Sequence, residues 1–144
     1  LGVPKAYADY KQLLADPEIE SVHICTPNNL HYQIAKEALL AGKHVICEKP
    51  LALEMEQCDE LIDLGKKMNK VCAVNFNMRA YPIVQQVRDM IANGDLGEIF
   101  SVNGSYTQDW MLLDTDYSWR VEPEYTGCTR TVADIGSQWF DMIE

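Results

Sequence analysis

Apolar and polar residues in the first half of the chain follow the pattern of short strands separated by helices. Short apolar runs predict strands, and segments with apolar residues at helical spacing predict helices. The strands are 21–26, 44–47 and 71–76, and the helices are 7–15, 30–41 and about 53–69. Strands that alternate with helices predict an α/β fold with a parallel, doubly wound sheet and right-handed connections.

Each predicted strand ends in polar residues. Thr26-Pro27-Asn28 follows the first strand, Glu48-Lys49-Pro50 the second, and Asn75-Phe76-Asn77 closes the third. Because the carboxyl ends of parallel strands share one edge of a sheet, these residues are expected at the edge where open α/β sheets bind ligands. Pro50 either holds Lys49 extended or, as a cis proline, re-aims the Glu48-Lys49 pair.

The pattern changes after Asn77, and we place a domain boundary near Asn75. Pro82 opens a predicted helix that ends at Asn93-Gly94. Alternation over 98–108 predicts a strand with one buried face, in which Phe100, Val102 and Tyr106 point the same way. Residues 109–130 show little periodicity and predict a long loop, and another helix begins near Val132.

Composition narrows the classes of protein that fit. The formal net charge is −10, which argues against nucleic acid as a partner. No apolar run approaches the roughly 20 residues of a membrane span, so we expect no membrane partner. Five cysteines without a C-x-x-C spacing indicate buried thiols in a reducing, cytoplasmic protein, with Cys25, Cys47 and Cys72 in core strands. The chain lacks an initiator Met and ends within a predicted helix, so we expect a fragment.

A series of short motifs resembles the Gfo/Idh/MocA oxidoreductases, the relatives of glucose-fructose oxidoreductase and inositol dehydrogenase. Each motif is common by itself, but their order and rough spacing along nearly the whole chain are specific to that family. The motifs are Thr26-Pro27-Asn28, His31, Ala41-Gly42-Lys43-His44-Val45, Glu48-Lys49-Pro50, Arg79, Pro82, Trp119-Arg120 and Asp134-Ile135-Gly136.

The resemblance implies a division of the chain into parts of two domains. Residues 1–75 would be the C-terminal part of a dinucleotide-binding, Rossmann-like domain that is incomplete at its N-terminus. Residues 76–144 would begin an α/β domain for substrate binding and oligomerisation, with an open, mainly antiparallel sheet. The G-x-G-x-x-G fingerprint that grips pyrophosphate is absent. An opening βαβ unit of about 30 or more residues is therefore expected before Leu1, and the chain alone should bind a dinucleotide poorly.

The resemblance also implies a reaction, in which hydride passes between NAD or NADP and a hydroxyl-bearing carbon of a sugar or cyclitol. Lys49 would hydrogen-bond the reacting oxygen and pass its proton, and Asp134 and Gln138 would complete the catalytic set. No metal is expected. The cofactor-binding set would be Thr26, Pro27, Asn28, His31, Glu48, Lys49, Pro50, Arg79, Trp119 and Arg120.

Several of these residues have a structural alternative. Asn28 or Asn29 serves equally well as a helix cap, His31 as a first-turn residue and Trp119 as a core aromatic. Gln138 stands where the family carries a histidine, and an amide hydrogen-bonds a hydroxyl without taking its proton.

The glutamine at position 138 leaves two hypotheses about the function. In the first, the base for an oxidation is Lys49, Asp134 or a water between them. In the second, the protein is a non-catalytic sensor that binds a nucleotide or a sugar. A third alternative, a structural subunit, would use the polar face of 98–108 for association. In every case the resemblance implies a homodimer or homotetramer.

Overall fold

The computed structural model describes residues 2–144, which form two compact units. The first unit ends at Val74 and the second begins at Asn75. Each unit is considered by itself. The assignment of these units to a dinucleotide domain and a substrate domain stays a prediction.

A parallel sheet of three strands forms the centre of the first unit. The strands are β1 (Ser21–Ile24), β2 (His44–Cys47) and β3 (Cys72–Val74), in the order β1-β2-β3. β2 pairs with both neighbours, so that Val45 lies opposite Val22 on one side and Cys72 on the other. The parallel sheet is the one expected, but β1 and β3 end two residues earlier than predicted, where their polar ends leave the ladder.

Three helices accompany this sheet. They are α1 (Tyr10–Ala15), α2 (His31–Leu40) and α3 (Met55–Met68). The side chain of Asp9 caps α1 by accepting a hydrogen bond from the Lys11 amide, so the helix begins three residues later than predicted. A 3₁₀ turn over Asn28–Leu30 precedes α2, whose N-terminus has no side-chain cap. The predicted capping role of Asn28 or Asn29 is therefore wrong.

The core of the first unit lies between the sheet and its helices. Leu39 of α2, Leu61 of α3 and Val45 of β2 are completely buried. Side chains alternate across a strand, so Ile46 on the opposite face of β2 is 41% exposed. Ile62, the neighbour of Leu61 on α3, is 48% exposed and lies outside this core.

Lys43 ties the loop before β2 to the beginning of the chain. Its side chain is buried, and Nζ donates a hydrogen bond of 2.8 Å to the carbonyl oxygen of Asp16. The Asp16 carboxylate in turn accepts hydrogen bonds from the Tyr7 hydroxyl (2.5 Å), the Glu18 amide (2.8 Å) and Lys5 Nζ (3.0 Å). These donors hold the pKa of Asp16 well below its usual value. Lys43 of the Ala41–Val45 motif is thus part of the framework.

The second unit is mainly helical. Its helices are α4 (Pro82–Ala92), α5 (Pro123–Thr126) and α6 (Ser137–Ile143), with a π-helical turn over Val132–Gly136 leading into α6 and 3₁₀ turns over Asn77–Ala80 and Trp119–Val121. α4 begins at the predicted proline. The predicted loop 109–130 therefore contains two short helical segments.

The strand expected over 98–108 is not formed. No strand occurs within residues 75–144, and Phe100 and Val102 are 86% and 55% exposed. Alternation produces a strand only where a neighbouring strand supplies hydrogen bonds and a core covers one face, and the described residues supply neither. Instead, Gly104 packs so closely on the Trp139 indole that a Cβ at this position would collide with the ring.

Among residues 2–144, the helices are too short or too polar to cross a lipid bilayer.

We expect Lys43→Met to destabilise the protein by about 1–2 kcal/mol, because the variant keeps the apolar stem but loses a buried, charged hydrogen bond. Lys66→Met is the matched control, since the side chain of Lys66 is 73% exposed and its ion pair with Asp63 contributes little. Urea unfolding of both variants checks the prediction. Equal midpoints for the two would contradict it.

Candidate functional site

The polar residues after β1 and β2 lie at one edge of the sheet, as the parallel register requires. The Glu48 amide donates a hydrogen bond of 2.9 Å to the carbonyl oxygen of Ile24, which fastens the loop after β2 to the end of β1. The Lys49-Pro50 peptide bond is cis, the second of the two predicted alternatives. Glu48, Lys49 and Pro50 are all partly exposed at this edge.

The buried side chain of His31 contacts both the loop after β1 and the loop after β2. Its side chain is completely buried at the beginning of α2. Nδ1 lies 2.7 Å from the carbonyl oxygen of Pro50, and Nε2 lies 2.8 Å from the carbonyl oxygen of Thr26. Both ring nitrogens therefore face main-chain oxygens of this chain. The expectation that His31 lines a nucleotide stays a prediction, and this geometry gives the ring a bridging role instead.

Thr26, Pro27 and Asn28 form the part of the edge that follows β1. The Thr26 hydroxyl oxygen is buried without a hydrogen-bond partner among the residues described, and Asn28 is only 8% exposed. Buried polar atoms are nearly always hydrogen-bonded in native proteins, so an unpartnered hydroxyl at a ligand-binding edge fits a bound polar group.

The cysteines near this edge are in different environments. Cys47, the last residue of β2, is completely buried, and burial raises the pKa of its thiol to about 12. This thiol is protonated at neutral pH and is no nucleophile. Cys25 is exposed, which corrects its predicted place in a core strand: β1 ends at Ile24, one residue before it.

The last helical segment of the second unit carries a polar stripe that contacts side chains from other parts of the unit. Asp134, Gln138 and Asp141 follow one another at intervals of four and three residues and so share a helix face. Asp141 receives a bidentate contact from Arg79, with Nε to Oδ2 at 2.9 Å. Asp134 Oδ1 lies 3.7 Å from Arg120 Nε.

Gln138, the middle residue of this stripe, is 6% exposed. Its Nε2 donates a hydrogen bond of 3.1 Å to Oδ1 of Asn77, whereas Oε1 is buried without a partner among residues 2–144. The amide therefore has one acceptor position that a hydroxyl or amine could use.

Trp119 and Arg120 stack on each other at the edge of this stripe. The guanidinium carbon of Arg120 lies 4.6 Å from the centre of the Trp119 ring, a cation–π contact. Tyr125 meets the same ring edge-on, with centroids 6.4 Å apart. Trp119 thus packs against protein side chains while staying partly exposed, and Arg120 lies between Trp119 and Asp134.

Two family models match the chain. The model described as "Oxidoreductase family, NAD-binding Rossmann fold" matches residues 1–76, and the GFO/IDH/MocA C-terminal domain matches residues 84–144. The chain belongs to the Gfo/Idh/MocA oxidoreductase family. The NAD-binding Rossmann model thus covers the first unit.

Sugar dehydrogenases are among the similar proteins. Levoglucosan dehydrogenase of Pseudarthrobacter phenanthrenivorans is 39% identical over 98% of this chain and 36% of its own length. D-glucoside 3-dehydrogenase of Escherichia coli is 39% identical over 69% of this chain and 28% of its own length. A solved structure of levoglucosan dehydrogenase in complex with NADH and levoglucosan matches with a TM-score of 0.87, covering 94% of this chain and 37% of that one. The chain therefore spans about a third of the length of these relatives.

Within this Gfo/Idh/MocA chain, sequence reasoning missed two residues of the second unit. Asn77 holds Gln138 and Asp141 holds Arg79, whereas the sequence placed Asn77 only among the polar residues that close the third strand and gave Asp141 no role. The position of Asp141, seven residues after Asp134 on the same helix face, was a usable signal. Within residues 2–144, no cluster of three or more His, Cys, Asp or Glu side chains could hold a metal ion.

We expect Asn77→Ala to destabilise the protein by about 1–3 kcal/mol, because it leaves both polar atoms of the buried Gln138 amide unpartnered. Asn103→Ala is the control: Asn103 is exposed, and its amide donates only to the nearby Ser101 hydroxyl. Denaturant unfolding measures both. A loss no larger for Asn77→Ala than for the control would contradict this account of Gln138.

Proposed function

We propose that the protein is an NAD(P)-dependent oxidoreductase that moves hydride between the nicotinamide and a hydroxyl-bearing carbon of a sugar or cyclitol. The observation that carries this proposal is the way Lys49 is held at the ligand-binding edge of an NAD-binding Rossmann domain. The residue before it is tied to Ile24 and the residue after it to His31. Sugar dehydrogenases among the relatives supply the substrate class.

In this proposal Lys49 binds the reacting oxygen and carries its proton. NAD or NADP, when bound, supplies the hydride acceptor or donor. An ammonium group is a compact donor that can give up a proton and recover it, which proton transfer to and from a hydroxyl requires.

The residues that follow β1 at the carboxyl edge of the sheet would hold the nucleotide. The unpartnered Thr26 hydroxyl fits hydrogen bonding to a polar cofactor group such as a ribose hydroxyl. Pro27 and Asn28 would line the same edge, with Glu48 facing it from the next loop. NAD and NADP both remain candidates, since one relative was solved with NADH and a D-xylose 1-dehydrogenase of Haloferax volcanii is named for NADP.

The second unit would supply substrate contacts. The Gln138 carbonyl oxygen can accept a hydrogen bond from a sugar hydroxyl but takes no proton. Asp134 and Asp141 are the titratable groups of the stripe, and Arg120 lies beside Asp134. Arg79 is engaged by Asp141, so its predicted part in cofactor binding would be to orient this helix face. A cytoplasmic homodimer or homotetramer remains part of the proposal.

The second candidate function is a non-catalytic sensor that binds a nucleotide or a sugar. One specific observation favours it. Gln138, which is buried four residues after Asp134 on the same helix face, carries an amide that cannot take up a proton. Gln138→His separates the candidates. We expect wild-type turnover, and a rise in oxidation when His supplies a second proton acceptor. Cofactor binding without turnover in both proteins would support the sensor.

The decisive assay follows nicotinamide absorbance with the complete protein in which this sequence occurs. Sugars, inositols and their keto forms are offered with NAD and with NADP in parallel, and cofactor binding is measured in the same samples by calorimetry. A signal identifies the substrate class and the cofactor together. Binding with no absorbance change across the panel would overturn the enzymatic proposal.

We expect Lys49→Arg to reduce kcat by at least about a hundredfold while the dissociation constant of the cofactor changes little. Arginine keeps the charge but loses the titratable ammonium, so binding survives and proton transfer does not. Lys66→Arg, on the exposed surface of α3, is the control and should leave both quantities unchanged. Equal losses of binding and turnover would make Lys49 a cofactor ligand and not a proton carrier.

A further inference from the structure

The Gln138 side chain of α6 is bonded at one end of its amide and open at the other. It is 6% exposed, and its Nε2 donates a hydrogen bond of 3.1 Å to Oδ1 of Asn77. Oε1 is buried and has no hydrogen-bond partner among the residues that the structure describes. Because buried polar atoms are nearly always paired in native proteins, this oxygen marks a place where a donor from outside residues 2–144 fits.

The hydrogen bond to Asn77 decides which end of the amide stays open. With the amide reversed, Nε2 and its two N–H groups would be buried without an acceptor. Main-chain N–H groups without an acceptor are rarer inside proteins than carbonyl oxygens without a donor, and the same asymmetry applies to a side-chain amide. Asn77 is itself exposed, so water can bind its own Nδ2. The arrangement therefore favours Gln138 with its nitrogen toward Asn77 and its oxygen open.

A second contact holds the same helix on the same turn. Asn77 and Arg79 both lie in the 3₁₀ turn Asn77–Ala80, and Gln138 and Asp141 both lie in α6. Arg79 Nε donates a hydrogen bond of 2.9 Å to Oδ2 of Asp141, whose side chain is 5% exposed. Two side-chain pairs thus join the turn to the helix, and they restrict how the helix can rotate relative to Asn77.

We propose that Asn77 is a positioning residue for substrate specificity: it holds Gln138 as a fixed hydrogen-bond acceptor, so that the site selects a ligand with a hydroxyl at this position. A carbonyl oxygen only accepts, so a hydroxyl can bind it, whereas a keto, ether or fluorine substituent cannot. A site built around a hydroxyl discriminates against the analogue lacking it, because its own polar atom is then left unpaired. The inference rests on the function proposed above and adds the group that this site requires on the sugar or cyclitol.

The orientation of the amide is tested first, without ligand, in the complete protein labelled with ¹⁵N-glutamine and ¹⁵N-asparagine. We expect nuclear Overhauser effects between the Nε2 protons of Gln138 and the β protons of Asn77. Gln138→Met identifies the glutamine signals by their loss. Effects between the Nδ2 protons of Asn77 and the γ protons of Gln138 in their place would show the reversed amide and overturn the proposal.

The specificity is tested by calorimetry with D-glucose, D-xylose and myo-inositol, and with the monodeoxy and monodeoxyfluoro analogues of each. Fluorine is close in size to a hydroxyl but has no proton to donate. We expect the wild type to bind the deoxy and the deoxyfluoro analogue of one position at least about tenfold more weakly than the parent compound. Asn77→Asp keeps an acceptor for Nε2 and should retain this ratio. Asn77→Leu has a similar shape but lets the amide turn, so the ratio should fall below about threefold.

Asn103→Leu is the control and should keep the wild-type ratio, since Asn103 is exposed and its amide donates to the nearby Ser101 hydroxyl. A merely structural role for Asn77 would make Asn77→Leu less stable but leave its ratio unchanged, and that result would overturn the proposal. So would a wild-type protein that binds none of the three parent compounds, or one that binds every analogue as tightly as its parent.

The two proposals fail separately. The dissociation constants and the nuclear Overhauser effects need no turnover, so they decide the role of Asn77 even where the absorbance assay shows no reaction and the enzymatic function fails. Turnover of a parent compound, combined with an unchanged ratio in Asn77→Leu, would leave the enzymatic function standing and overturn the inference about Asn77.

Discussion

The parallel pairing of β1, β2 and β3 is the constraint on which the rest of the first unit depends. Parallel strands need crossover connections, so the helices α2 and α3 must lie between the strands in the chain. The same pairing brings every strand's carboxyl end to one edge. β2 is hydrogen-bonded to a strand on each side. Glu48, the residue directly after β2, donates a hydrogen bond from its amide to Ile24 of β1. The best-fixed loop of the unit is therefore the one that carries Lys49.

The sequence predicted features that depend on local pattern and missed features that depend on distant partners. Helical periodicity and apolar runs are local, so α2, α3 and the three strands were found to within a few residues. The strand over 98–108 failed because alternation says nothing about whether a partner strand is at hand. The bridging position of His31 was equally invisible, since main-chain carbonyls carry no sequence signal.

The second unit shows how a polar helix face can be largely committed to its own fold. Asp141 is held by Arg79, Asp134 lies beside Arg120, and the Gln138 amide nitrogen is bound by Asn77. Among the described residues, the Gln138 amide oxygen of this face has no partner, and it is an acceptor without acid–base character. Under the proposed function, the second unit would recognise and orient the substrate, and proton transfer would be left to a lysine.

Lys43 and Lys49 are six positions apart in two neighbouring motifs, and the structure places them in different environments. Lys43 is buried against the Asp16 carbonyl, while Lys49 is partly exposed where a ligand would arrive. A genetic screen that recorded only the survival of activity would place the two in the same class. Under the proposed function, suppressor mutations would tell them apart, since stabilising changes elsewhere can compensate for a lost framework contact but cannot restore the proposed proton carrier.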